Sequence, residues 1–143
     1  KANRILVYLF VLVLAPFSYA NTHSQRAQHN LNEPQPTLIE SIQDGESFSI
    51  EITSVGCFSG TRQTVTISKE GGILTGSLQD SSKILTDSDV QVFKRFEHQL
   101  RALQIGGCTT VDTYVLRYRN DTFQASDGTC RWYGYRPIIA IFS

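Results

Sequence analysis

The chain has 143 residues, and its 13 lysines and arginines balance 13 aspartates and glutamates. That balance excludes the basic excess that draws a protein to nucleic acid or to an anionic membrane surface. Three cysteines exclude a densely disulfide-stapled scaffold, and the odd count leaves at least one thiol over or paired between chains.

The N-terminus carries Lys1 and Arg4, then the nearly unbroken apolar run Ile5 to Ala15, then small residues in Ser18-Tyr19-Ala20. About a dozen apolar residues fall short of the ~20 that span a bilayer, so residues 1–20 read as a cleaved secretory signal. The expectation is an exported protein, secreted or periplasmic, with no stable membrane association after signal removal. Without Lys1 and Arg4 the remaining chain holds 11 basic and 13 acidic residues, a net charge of −2. Residues 21–37 are almost wholly polar with Pro34 and Pro36, and too little apolar surface is present to offset the entropy of ordering them. They read as a disordered lead-in to a single domain over residues 38–143.

Within that domain Leu38, Ile39 and Ile42 make an apolar patch that fits an edge strand or a helical turn. Phe48, Ile50 and Ile52 alternate with polar residues at the period of a half-buried strand, and Val65 and Ile67 resume the alternation after the Gly56 to Gly60 loop. Gly71-Gly72 turns the chain into Ile73 to Leu78. Connections this short require antiparallel neighbours. From Thr86 to Gln104 the pattern changes to helical: Thr86 and Asp89 form a capping box, Leu85 and Val90 a hydrophobic staple, and Phe93, Phe96, Leu100 and Leu103 one apolar face. Gly106-Gly107 suits its end. Thr109 to Arg119 is a second β-rich stretch, with Val111, Thr113, Val115 and Arg117 on one face and Tyr114, Leu116 and Tyr118 on the other. Asn120-Asp121 makes a two-residue hairpin turn, and Asp127-Gly128 a further turn or bulge. Pro137 to Phe142 is partly buried as a last strand or a short helix. The fold class expected is α+β: an antiparallel sheet of about five or six strands with one main helix packed on one face.

Residues 106–135 hold two of the three cysteines, the only tryptophan and four of the six tyrosines. A turn at Asn120-Asp121 would set Cys108 opposite position 133, and bulges at the flanking glycines can absorb the slip that brings it to Cys130. A Cys108–Cys130 disulfide is the expected pairing, with Cys57 bonded to one of them as the rival. In the chain-entropy view the bridge stabilises by about 3 kcal/mol.

A cysteine hydrolase built on Cys57 and His98 is the sharpest catalytic alternative, but His98 sits between Glu97 and Gln99 on the charged side of its helix. No spacing among Cys57, His98, Cys108 and Cys130 matches a zinc site, and no cofactor motif occurs. Asp87 and Asp89 are explained by the helix start, and Glu40, Glu51 and Glu70 read as solvated charges, so paired carboxylates contribute little. Asn120-Asp121-Thr122 is a glycosylation sequon at the hairpin tip.

The binding candidate is an aromatic and arginine group. Arg117, Arg119, Arg131, Trp132, Tyr133 and Tyr135 form the expected contact face, since rigid rings and forked guanidinium groups dominate interface hot spots. The function expected is an exported, non-catalytic protein that binds another macromolecule, a protein partner and not nucleic acid, in the manner of an inhibitor or immunity-type protein. A carbohydrate or cell-wall binding module is the alternative that uses the same rings.

Overall fold

Period-two alternation builds the sheet strand by strand. In β1 (Ser47–Val55) Phe48, Ile50 and Ile52 are buried on one face. In β2 (Gly60–Glu70) their neighbours Ile67 and Val65 are buried opposite Phe48 and Ile50. The computed structural model describes residues 35–56, 60–103, 106–107, 109–129 and 131–143, all within one unit, Pro34–Ser143. The expected signal, most of the expected lead-in, and Cys57, Cys108 and Cys130 lie outside the described residues.

Gly71 and Gly72 turn into β3 (Ile73–Leu78) with φ of 56° and 80°, a region glycine enters without penalty. The Asp44 carboxylate accepts from both glycine amides, at 3.1 and 2.7 Å. β4 (Ser81–Ile84) is exposed at every position. It is an edge strand with no apolar alternation to reveal it. The hairpin β5 (Val111–Tyr118) and β6 (Asp121–Asp127) completes a six-stranded sheet in the order β4-β3-β2-β1-β5-β6, with every neighbouring pair antiparallel.

The fold class is α+β, mostly sheet. Helix α2 (Asp87–Arg101) carries the chain from the β4 edge across to β5 and buries Phe93, Phe96 and Leu100 against the inner face of the sheet. Burial of each such side chain stabilises by about 1.5–3 kcal/mol. The expected capping box is formed: Thr86 Oγ1 accepts from the Asp89 amide at 3.3 Å, and the Asp89 carboxylate accepts from the Thr86 amide at 2.9 Å. The helix ends at Arg101, short of the expected Gln104 and of the glycines. Ala102 and Leu103 donate to Gln99 and Leu100 in tight three-residue steps that close the last turn early.

Leu38–Ser41 is a helical turn, α1, preceded by a buried Thr37 whose amide donates to Glu40 at 3.0 Å. Glu97 is not on the solvated face. It is 4% exposed, and its carboxylate accepts from the Leu38 amide at 2.7 Å and from Arg101 at 2.7 and 3.0 Å, tying α1 to α2. The β5–β6 turn is Arg119-Asn120, one residue earlier than expected, because Arg119 takes the positive φ of 53° and its guanidinium is held at 2.7 Å by Glu46. The C-terminal segment is helical: α3 (Tyr135–Ile139) continues into a 3₁₀ turn, Ala140–Phe142. Gly76 admits its end, since a Cβ there would lie 2.8 Å from the Phe142 ring and 3.0 Å from Leu85.

Candidate functional site

At the start of β5 and the end of β6, Asp112 and Asp127 are directly opposite partners. Alternation turns both toward the helix side, with Tyr114, Leu116, Phe123 and Ala125, and they are 7% and 3% exposed. Opposed side chains on paired strands begin ~5 Å apart, where like charges destabilise. Among the described residues neither carboxylate has an ion pair. Asp127 Oδ1 accepts from the Thr129 amide at 2.8 Å and its hydroxyl at 2.6 Å. Asp112 Oδ1 is buried with no hydrogen-bond partner among the described residues.

The Tyr114 hydroxyl beside them is fully buried and also lacks a well-formed hydrogen bond among the described residues. Burial pushes its pKa far above the ordinary 10, and the charges of Asp112 and Asp127 push the same way. The Tyr135 main chain works weakly in the other direction, short of a bond with good geometry.

Asp127 also organises the wall of the site. The turn it makes with Thr129 lets Thr129 Oγ1 accept from the amides of Arg131 and Trp132, each at 3.3 Å. The Trp132 indole stacks on Phe96 with centroids 5.6 Å apart and planes 16° apart, and its Nε1 donates to Gln99 at 3.0 Å. Gly134 makes room for it: a Cβ there would fall 2.0 Å from the indole Cζ2. The Arg136 guanidinium lies 4.1 Å from the Tyr133 ring centroid. Together Asp112, Asp127, Trp132, Tyr133, Tyr135 and Arg136 border a cavity of about 250 Å³.

The six residues of the expected contact face are therefore divided. Trp132, Tyr133 and Tyr135 meet at this cavity, and Arg131 is exposed beside it in the chain. Arg117 lies on the outer face of the sheet, 3.2 Å from Glu51, which also pairs with Arg62 at 2.7 Å. Arg119 stands at the opposite end of β5, paired with Glu46. Tyr118 is buried, and its hydroxyl donates to Glu46. His98 is exposed on α2. Its proposed partner Cys57 and the Cys108–Cys130 pairing fall outside the described residues. Gly106 and Gly128, which flank those two cysteines, approach so closely that a Cβ on Gly106 would meet the Gly128 carbonyl at 2.3 Å.

Asp127, expected in a turn or bulge with Gly128, instead closes β6 as a buried carboxylate, and Asp112 carried no expected role. The signal was present: Asp112 shares the parity of Tyr114, Leu116 and Tyr118, so an acid stood at an inward position of an otherwise apolar row. A larger cavity of about 580 Å³ runs along β6 beside Leu100, Leu103 and Phe123, but Arg101 is its only ionisable group among the described residues. No three His, Cys, Asp or Glu side chains among the described residues converge to hold a metal ion, and no helix among them is long and apolar enough to cross a membrane. No family model, curated protein or solved structure matches the chain.

Proposed function

We propose that the protein is an exported, non-catalytic binding protein that holds a protein partner at the cavity over Asp112 and Asp127. The observation that carries this reading is the meeting of Trp132, Tyr133 and Tyr135, the residue types that dominate interface hot spots, around one cavity with two buried carboxylates at its border. Tyr133 is 45% exposed, so the site has a ring to present, while Trp132 is anchored from behind by Phe96 and Gln99. The cavity is below the ~300–1,000 Å³ usual for a whole small-molecule ligand and suits one inserted side chain. The carbohydrate alternative needs a run of coplanar ring faces, whereas Trp132 gives one of its faces to Phe96.

A second reading draws on the opposed aspartates, which could serve as acid and base in hydrolysis. Against it, Asp127 is engaged by Thr129, and Asp112 Oδ1 has no hydrogen-bond partner among the described residues to fix it as an acid or base. The test is capture of a partner from the source's exported proteins by residues 21–143. Tyr133→Ala is expected to abolish capture, and Arg117→Ala, on the outer face, to leave it intact. Capture that depends on Arg117 and not on Tyr133, or turnover of a substrate that stops with Asp112→Asn, contradicts the reading.

A further inference from the structure

The geometry points to a primary ammonium group, carried on a lysine side chain of the partner, as the occupant of the cavity over Asp112 and Asp127. This rests on the reading of that cavity as a protein contact and gives the contact its chemistry.

Three observations converge on it. The first is charge. Among the described residues, two carboxylates and the guanidinium of Arg136 border the cavity, a formal charge of −1, and Arg136 makes no ion pair with either aspartate, stacking instead on Tyr133. One monovalent cation closes that balance. The second is hydrogen bonding. Asp112, which borders the cavity, has its Oδ1 buried with no partner among the described residues, and Asp127 engages Oδ1 with Thr129. A buried acceptor left unmatched is destabilising, so such groups mark a place that a donor fills. An ammonium offers three donors spread tetrahedrally, whereas a guanidinium requires acceptors in its own plane. The third is the wall. Trp132 and Tyr135 offer apolar surface to a methylene stem, and ring faces favour a cation at its end.

The sole tryptophan of the chain borders the cavity, so intrinsic fluorescence reports its occupancy. Residues 21–143 would be titrated with a short peptide carrying one central lysine, with the same peptide bearing Nε-acetyl-lysine, and with n-butylamine. The lysine peptide is expected to give a saturable change. Acetylation should weaken it roughly tenfold or more by removing the charge, and Asp112→Asn should do the same while circular dichroism stays native. Butylamine should bind more weakly than the peptide. Equal binding of the acetylated peptide overturns the ammonium assignment using the wild-type protein alone, and butylamine binding as well as the peptide assigns the cavity to a free amine instead. If partner capture is lost with Tyr133→Ala but unchanged by Asp112→Asn, the lysine assignment falls and the contact reading stands. If capture is unaffected by either change, both fall.

Discussion

Asp112 is held in a position that works against folding. It is 7% exposed, it faces Asp127 across the ladder, and its Oδ1 has no partner among the described residues. Asp112→Asn should therefore raise stability by a few tenths to about 1 kcal/mol, the size of a cross-strand pair, as read by urea denaturation. A loss of stability would mean the carboxylate is structurally required. Glu97 is the opposite case, since it satisfies the Leu38 amide and Arg101 from a buried position. Glu97→Ala should destabilise by about 1–3 kcal/mol, because it leaves a donor unmatched. Arg62→Ala, which removes an exposed partner of Glu51, should change stability by less than about 1 kcal/mol. Charge type alone did not separate these residues in the sequence. Glu97 reads as solvated because its partner Leu38 lies far away in the chain, and Asp112 was legible only by its parity with Tyr114.

Among the elements, α2 was the most legible, because its cap, staple and apolar face all depend on residues within one or two turns. Thr86→Ala should cost about 1 kcal/mol by unmatching the first-turn amide, as measured by thermal unfolding. β4 was not legible: SSKI has no alternation, and only its pairing with β3 makes it a strand. The β5–β6 hairpin was legible in existence and face, but its turn slipped by one residue because Arg119, not a glycine or asparagine, takes the positive φ. The segment from Thr129 to Arg136 depends most on tertiary context, since Gly134 is there for the Trp132 ring and not for its own backbone angles. Gly134→Ala should displace the indole, shift its fluorescence and abolish binding at the cavity, while leaving the far-ultraviolet spectrum of the sheet unchanged.

For the whole molecule, the pH range of stability follows from charges that hold segments together. Lys94 beside Glu40, with the Thr37 amide and hydroxyl, lowers that carboxyl from 4.5 to about 2. The hydrogen bond from Tyr118 lowers Glu46, Arg62 lowers Glu51, and the Thr86 amide lowers Asp89. A carboxyl with a lower pKa folded than unfolded contributes its full share above the unfolded value and loses it as pH falls through the folded one. Urea midpoints should thus fall as pH drops from about 4.5 toward 2. Tyr118 runs the other way: donation to Glu46 raises its hydroxyl above 10, so its contribution is complete below that pH and declines above it. The sheet with a helix on one face was legible from periodicity, but the site was not, because it is assembled from strands, a turn and a helix that only the fold brings together. The most direct measurement is a map of backbone amide shifts in ¹⁵N-labelled residues 21–143 on addition of the lysine peptide. Shifts centred on Asp112, Asp127, Gly134 and the Trp132 indole N–H are the expected result, and shifts confined to the outer sheet face around Glu51, Arg62 and Arg117 would contradict it.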